Sequence, residues 1–422
     1  MTPKQAIPPS ITGLAGAPAE SVLEHAFGTG EPYTLGVEEE YQLLDSTTFD
    51  LVQHIDTILA AVSGHELEEQ INAELMQSVL EIATPVCRTA GDVMAALTTL
   101  RAYVTEVAQD KGLRVGSAGT HPFSLFERQR ITAKDRYRAL IDQLQYVARR
   151  ELIFGMHVHV AVDEPEKAVQ VVNGLLPHLA PLLALSASSP FWRGEPTGLA
   201  SSRQMVFSAF PRSGPPPRFR DYADYASVVG QLEHSGCIAD YTHIWWDIRL
   251  HPRLGTIEIR ICDAVTRVED ATALAAYCQA LVKMLAEQHD RGDEIPSYHR
   301  ILTSENKWLA ARYGLDAPVM DLTTGSRIRS PIAKLVRRTL RDLERGTRNR
   351  VPVAQLVRRA LRDVEAHARE LGSERELEGI AALLGRGNSA ERQLRVYNAN
   401  RDIVEVVREI ADATEAVPTT SV

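Results

Sequence analysis

The segment Tyr33–Leu44 reads YTLGVEEEYQLL, and its polar and apolar residues alternate almost one by one. Side chains two positions apart lie on the same face of a β-strand. One face of the predicted strand is therefore apolar, and the other carries Glu38 and Glu40. Glu39 falls on the mostly apolar face, and the alternation does not explain it. The pattern is typical of an antiparallel sheet with one face on the core and the other turned away from it.

Three later segments alternate in the same way, namely Phe154–Val162, Ile244–Leu250 and Thr256–Cys262. Their polar faces carry His157, His159, Asp247, Arg249, Glu258 and Arg260. The simplest interpretation is that these faces meet water. A solvated strand face, however, is usually rich in threonine, serine, lysine and glutamine, whereas these faces carry acids, histidines and arginines. The four strands together therefore favour a functional surface.

Several carboxylates on one surface raise each other's pKa unless another charge compensates for them. Mg²⁺ is a natural compensator, because it prefers oxygen ligands and often shares them with substrate phosphates. Arg260 stays protonated at every physiological pH and suits bidentate contacts with phosphate. The polar faces thus indicate a site for metal ions and a phosphorylated substrate.

Composition limits the classes of function. The 422-residue chain has 44% hydrophobic residues and a formal net charge of −9, which argues against binding to a nucleic-acid backbone. Four cysteines without C-x-x-C spacing are typical of free thiols in a reducing compartment. No segment resembles a signal peptide or approaches the length of a membrane span. We therefore expect a cytoplasmic protein with no nucleic-acid or membrane partner.

The chain divides into a short leader and one long domain. Residues 1–28 are rich in proline, glycine, alanine and serine and predict a loose N-terminal leader. Residues 29–422 are interpreted as a single domain whose C-terminal region, about 330–415, is helical by its periodicity. Within that region we predict helix starts at Ser330-Pro331 and Arg350-Val351-Pro352, and a last helix from about Asp402 to Thr414.

Several ordered motifs resemble those of one enzyme family. They are GVEEEYQLLD at Gly36–Asp45, LEIATP at Leu80–Pro85, GTHP at Gly119–Pro122, GMHVHV at Gly155–Val160, TGLASSR at Thr197–Arg203, WWDIRLHP at Trp245–Pro252 and GTIEIR at Gly255–Arg260. In this order they resemble the carboxylate–amine ligases of the glutamate–cysteine ligase type 2 family. The resemblance runs from about residue 33 to the C-terminal helices.

This resemblance implies an α+β fold: a curved antiparallel sheet that forms a bowl backed by helices, as in glutamine synthetase. It also implies a reaction in which ATP and Mg²⁺ convert a carboxylate to an acyl phosphate, and an amine then displaces phosphate to form an amide. The expected partners are small carboxylate and amine substrates, with amino acids first among them and weak glutamate–cysteine ligase activity included. A homodimer is expected only from the general frequency of oligomeric enzymes.

The resemblance also implies roles for individual residues. The metal ligands would be Glu38, Glu40, Glu81, Glu258 and His157. Arg260, His157 and Glu258 would be catalytic, and Arg260, His159, Arg249 and Asp247 would contact ATP or substrate. Glu74 occupies the position of a further acidic ligand, but it needs a bulge or loop before Glu81 to reach the same face.

Two other classes of function stay open. His157-Val158-His159 on a strand is a ligand pair in many zinc-dependent amidohydrolases, which would make the chain a hydrolase. A catalytically inactive ligase fold kept as a binding protein is the other alternative. No P-loop pattern occurs, so ATP binding rests on the resemblance. His121 is expected to contact substrate or to cap a loop, and Arg392 is a weaker candidate for the site.

Overall fold

The computed structural model describes residues 23–295, 298–322 and 350–416. Most of the predicted leader and the predicted helix start at Ser330-Pro331 lie outside these residues. Residues 23–28, the described part of the leader, form neither helix nor strand.

The strands in chain order are β1 (Leu35–Asp45), β2 (Ile71–Ala73), β3 (Val79–Ala83), β4 (Leu113–Gly116), β5 (Met156–Ala161), β6 (Phe191–Trp192), β7 (Glu195–Pro196), β8 (Ser213–Gly214), β9 (Trp245–Trp246), β10 (Ile248–His251), β11 (Thr256–Ile259), β12 (Pro318–Met320) and β13 (Arg350–Pro352). The helices are α1 (Ile55–Val62), α2 (Ala90–Asp110), α3 (Asp135–Leu144), α4 (Tyr146–Arg149), α5 (Pro165–Leu175), α6 (Leu179–Ser186), α7 (Ser202–Phe207), α8 (Tyr222–His234), α9 (Val268–Asp290), α10 (Arg300–Tyr313), α11 (Val353–Glu370), α12 (Glu374–Arg386), α13 (Ser389–Asn400) and α14 (Ile403–Glu415).

One seven-stranded sheet organises the described part of the chain. Its strand order is β10-β11-β5-β1-β3-β2, and β4 pairs with the far end of β1. Every neighbouring pair in this sheet is antiparallel. The α+β architecture with an antiparallel sheet backed by helices is therefore confirmed.

The pairing register brings the polar positions of the four predicted strands opposite one another. Glu38 pairs with His157, and Glu40 pairs with Glu81. Glu258 lies opposite His159 on one side and Arg249 on the other. Directly opposed residues in antiparallel strands have Cβ atoms about 5 Å apart. The register alone therefore gathers acids, histidines and arginines on one face.

The other face of the sheet is buried under helices. Val37, Val158 and Ile257 are fully buried there and belong to one continuous apolar core. The long helix α9 lies at the centre of this layer and packs against α2, α5, α11 and α12. Contrary to the sequence expectation that no segment approaches the length of a membrane span, the stretch Pro165–Ser186, which contains α5 and α6, is long and apolar enough to cross one. However, 94% of its most apolar window is buried inside the protein. It is a core element of the fold.

The described part of the C-terminal region, residues 350–416, is mostly helical, as predicted. Helix α14 runs from Ile403 to Glu415, and the Asp402 carboxylate caps it by accepting a hydrogen bond from the Val404 amide. The predicted helix start at Arg350-Val351-Pro352 lies next to an observed one, although these three residues themselves form β13, which the sequence did not predict, and pair with β12. Pro352 then precedes the first turn of α11, so the helix begins at Val353.

Candidate active site

A cavity of about 600 Å³ opens on the polar face of the sheet. Its walls carry an unusual density of ionisable side chains. They include Glu38, Glu40, Glu74, Glu81, Arg136, Glu151, His157, His159, Arg203, Arg249, His251, Glu258 and Arg260. An apolar section is formed by residues that include Leu140, Ile153, Phe207, Phe210 and Trp245. Convergent polar groups beside an apolar wall are typical of a small-molecule site, and here the polar groups are unusually numerous.

Glu38 is held between the two histidines of β5. The His157 Nδ1–H donates to Glu38 Oε2 at 3.0 Å, and His159 Nε2 lies 3.4 Å from Glu38 Oε1. Burial opposes ionisation of Glu38, but the hydrogen bonds from the two histidines outweigh it and lower its pKa well below the usual range. For His157 the balance is reversed, since burial and the Arg260 charge lower its pKa to about 4. Glu38 is therefore a carboxylate and His157 is neutral at pH 7.

Glu258 lies between two arginines. Arg249 donates through Nε at 2.8 Å and Nη2 at 2.6 Å to Glu258 Oε2, and the Arg260 Nη1–H donates to Oε1. Burial opposes ionisation here too, but the Arg249 and Arg260 charges lower the Glu258 pKa well below its usual range. Arg260 Nε has no hydrogen-bond partner among the described residues. Arg260 itself lines the cavity.

A second acidic group lies across β1 and β3. Burial and the nearby Glu74 charge raise the pKa of Glu40 to about 7. Burial and the charges of Glu74, Glu38 and Glu40 raise the pKa of Glu81 well above its usual value. The chain leaves β2 at Ala73 and re-enters the sheet at Val79, so the loop that Glu74 needed is present. Glu74 lines the same cavity as Glu81.

The residues present fit a divalent metal ion. One ligand atom from each of Glu38, His159 and Glu258 lies within 4.8 Å of the others. Burial, and after it repulsion among the carboxylates, raises the pKa of Glu40 and of Glu81, and a cation would relieve the repulsion. The donors are mostly carboxylate oxygens, which suit Mg²⁺ better than zinc. His159 completes this cluster of potential ligands, whereas the sequence had pointed to His157.

Most of the residues that the sequence singled out line the cavity, but Asp247 does not. The alternating segment bends at Asp247, between β9 and β10, and its carboxylate lies 2.6 Å from Lys307 Nζ of α10. The prediction that Asp247 lies at the substrate end is therefore wrong, because the strand that carries it is not continuous. Lys307 and Asp247 form a buried ion pair instead.

Two weaker candidates also lie away from the cavity. His121 caps a loop: its Nδ1 accepts from the Ser124 amide at 2.9 Å, and its Nε2–H donates to the Phe49 carbonyl at 2.9 Å. Arg392 is not among the cavity-lining residues and forms an ion pair with Glu409 at 2.8 Å. Loop capping, one of the two roles expected for His121, is thus the one observed.

Sequence reasoning gave no role to Glu151, Arg203 or Arg136, which also line the cavity. None of them lies on an alternating strand, because Glu151 follows α4, Arg203 lies in the first turn of α7 and Arg136 belongs to α3. One signal was present for Arg203. A Cβ atom at Gly155 would lie 2.5 Å from Arg203 Nη2, so the glycine of the GMHVHV motif leaves room for that guanidinium.

Comparisons with known proteins identify relatives of this chain. The sequence profile described as "Glutamate-cysteine ligase family 2(GCS2)" matches residues 34–349. A Rubrobacter xylanophilus protein named "Putative glutamate--cysteine ligase 2-1" is 41% identical over 382 residues, which cover 90% of this chain and 95% of that protein. The chain belongs to glutamate–cysteine ligase family 2. Another member of family 2, from Solibacter usitatus, is 38% identical over 382 residues, covering 90% of this chain and 93% of its own length.

Solved structures show that this family 2 chain shares its fold with other ligases. A glutamate–cysteine ligase from Francisella tularensis, in complex with AMP, aligns with a TM-score of 0.62 at 13% identity and covers 92% of this chain and 91% of its own. A bifunctional glutathione synthetase from Pasteurella multocida aligns with a TM-score of 0.61 at 14% identity, covering 91% of this chain and 52% of its own. Family membership makes the chain an ATP-dependent carbon–nitrogen ligase, and neither the hydrolase nor the inactive alternative is favoured.

Proposed function

We propose that the cavity binds Mg²⁺-ATP with a small carboxylate and an amine, and that it joins them through an acyl phosphate with release of ADP and phosphate. Glutamate is the proposed carboxylate and cysteine the proposed amine, as in the names of the relatives, with weak activity expected on this pair. The observation that carries the proposal is the convergence of Glu38, Glu40, Glu81 and Glu258 with Arg260 on one cavity.

The metal-binding part of the proposal rests on the carboxylates. Glu38, Glu40, Glu81 and Glu258, with His157 or His159, would hold Mg²⁺, and Glu74 is a further candidate. The metal would neutralise the phosphate oxygens and draw the reacting carboxylate towards the γ-phosphate. The hydrogen bonds from His157 and His159 keep Glu38 ionised and therefore ready to bind a cation. The pairing of Glu258 with Arg249 fixes the orientation of its carboxylate.

Arg260 is the proposed phosphoryl contact. Negative charge spreads over the equatorial oxygens of the transferred group, so fixed donors in a cavity shielded from water contribute strongly. The Glu258 carboxylate holds one Arg260 nitrogen, while Nε stays without a partner in the described part of the chain. Arg260 is thus oriented before the substrate arrives and needs little reorganisation. His157, neutral at pH 7, adds no charge beside it.

The apolar wall is the proposed place for the adenine base. Phe210 and Trp245 meet edge to face with ring centroids 5.1 Å apart, and Phe207 stacks on Phe210 at 5.7 Å. Aromatic rings in this arrangement offer an apolar slot for a flat heterocycle. This would let the enzyme bind ATP without a P-loop.

The domain boundaries, the cellular location and the oligomeric state are also proposals. We propose one ligase domain over residues 29–422 with a loose leader over residues 1–28, acting in the cytoplasm as a homodimer. The substrates are small molecules, with no nucleic acid or membrane involved. Helix α14 packs on β4, where Arg114 pairs with Glu415 at 2.7 Å, which favours a single folding unit.

Phosphorus NMR of the protein with Mg²⁺ and ATP tests the proposal. Spectra are recorded without amino acids, with L-glutamate alone, and with L-glutamate plus L-cysteine. ADP and phosphate that appear only with the amino acids support the ligase. AMP and pyrophosphate would mean that the carboxylate is adenylated, which would refute the acyl phosphate route.

A further inference from the structure

The carboxylate of Glu151 is buried and has no hydrogen-bond partner in the part of the chain that the structure describes. It follows helix α4 and lines the proposed active-site cavity. Both of its oxygens are shielded from solvent, and neither has a hydrogen-bond partner within the described residues. Burying a carboxylate without a hydrogen bond is costly, and nearly all buried polar groups in proteins are paired. An exception in the wall of an active site calls for a functional explanation.

The positive charges near Glu151 do not compensate for the burial of its carboxylate. The groups that influence it are Arg203 from α7, Arg150 from its own segment and Glu40 from β1. Arg150 Nη2 donates to the Val206 carbonyl at 3.2 Å, and Arg203 Nη1 lies 3.8 Å from Asp263. Neither guanidinium group forms a hydrogen bond to Glu151, and Nε of each also lacks a partner among the described residues. Burial outweighs their charges and raises the pKa of Glu151 to about 8.

The proposed reaction needs a proton acceptor. An amino-acid amine is an ammonium ion near neutral pH, and its nitrogen has no lone pair for attack until one proton has left. The Glu38 carboxylate is already paired with two histidines, and the Glu258 carboxylate is already paired with two arginines. Glu40 accepts a hydrogen bond from the Gly155 amide at 2.5 Å. Within the described residues Glu151 accepts no such bond, and its pKa is close to the range in which a base is effective at neutral pH.

We propose that Glu151 accepts the proton of the incoming ammonium group in the ligation step, an assignment that rests on the proposed ligase function. The ammonium ion gives one proton to the Glu151 carboxylate and becomes a neutral amine. The amine nitrogen then bonds to the acyl carbon of the acyl phosphate. The carbon–oxygen bond to phosphate breaks, and phosphate leaves with that electron pair and takes the second nitrogen proton. The products are the amide, hydrogen phosphate and protonated Glu151, which releases its proton to water.

Activity with hydroxylamine as the nucleophile distinguishes a proton-accepting role of Glu151 from a structural one. It is uncharged near neutral pH and attacks an acyl phosphate without giving a proton to a base first. Wild type and Glu151→Gln are compared with Mg²⁺, ATP and L-glutamate, using either L-cysteine or hydroxylamine as the nucleophile. Glutamine has the shape of the protonated acid, so the variant should fold with an unchanged or higher melting temperature. Glu127→Gln is the matched control, because Glu127 is half-exposed and lies outside the cavity.

The expected result is a fall of about 100-fold or more in kcat with cysteine, the usual scale of general base catalysis, while hydroxamate formation stays within about threefold of wild type. The Glu127→Gln control should match wild type with both nucleophiles. Equal losses with both nucleophiles would show that Glu151 only supports the cavity and would overturn the assignment, as would full activity with cysteine. A wild type that consumes no ATP with either nucleophile would refute the ligase function, and the assignment with it.

Discussion

Arg101 on α2 forms a two-pronged ion pair with Glu39 on β1 behind the cavity-lining face of the sheet. Arg101 Nε lies 3.0 Å from Glu39 Oε2, and Nη2 lies 2.5 Å from Oε1. Both side chains are buried. Tyr41 adds a hydroxyl donor to the same carboxylate, and Arg101 also donates to the Thr266 and Val265 carbonyls. The pair anchors β1 between its two cavity-lining acids, Glu38 and Glu40.

Removing one member of this pair should destabilise the protein strongly. Arg101→Met leaves the Glu39 carboxylate buried and without its counter-ion, which typically costs about 3–5 kcal/mol of unfolding free energy. Glu39→Leu combined with Arg101→Met should restore much of that loss, because no buried charge remains. Urea unfolding of both single variants and the double variant tests this. Arg88→Gln, which breaks an exposed ion pair with Glu31, is the control and should change nothing measurable. If the double variant lost as much unfolding free energy as the two single variants together, the two residues would not be coupled.

Glu81→Gln should abolish turnover and stabilise the protein. The pKa of Glu81 is raised in the folded state, so its ionised form opposes folding at neutral pH, and an uncharged amide removes that repulsion. We expect the melting temperature to rise by roughly 2 °C or more, while Mg²⁺ raises the melting temperature of wild type and not of the variant. Scanning calorimetry with and without Mg²⁺ measures both effects. An equal response to Mg²⁺ would argue against Glu81 as a ligand.

Arg260→Lys should lower the rate more than substrate affinity. The guanidinium is held by Glu258 through one nitrogen, and a lysine ammonium cannot keep that contact and present a second donor. A loss of about 100-fold in kcat with a change in KM of less than about threefold is the expected pattern. Steady-state kinetics at saturating Mg²⁺ give both constants. An effect confined to KM would show that Arg260 contributes equally to ground-state binding and the transition state.

His178 should make folding stability fall in acid. Burial lowers its pKa from 6.5 to about 4, so the unfolded chain binds a proton that the folded chain does not. The stability that it contributes is complete above pH 6.5 and is lost as the pH falls towards 4, at about 1.4 kcal/mol per pH unit. His178→Leu should lose that part of the slope. Urea unfolding at several pH values tests this, with exposed His234→Leu as the control. An unchanged slope for His178→Leu would refute the contribution.

The strand faces were predictable, and the contacts between distant segments were not. The two-residue period assigned Glu38, His157, Arg249 and Glu258 to one face, because alternation depends on the backbone alone. Glu39 stayed unexplained because its partner Arg101 is 62 positions away on a helix. Asp247 was misplaced because a bend breaks the strand, and no local pattern marked it. Glu151 was missed because its lack of a partner is a property of the folded chain alone.

Transfer of oxygen from substrate to phosphate tests the central claim most directly. L-glutamate with ¹⁸O in its carboxylates is incubated with the protein, Mg²⁺, ATP and L-cysteine, and the released phosphate is examined by phosphorus NMR. Formation of an acyl phosphate predicts one ¹⁸O atom in each phosphate released, in step with ADP. Phosphate without the label, or label in AMP, would contradict the account.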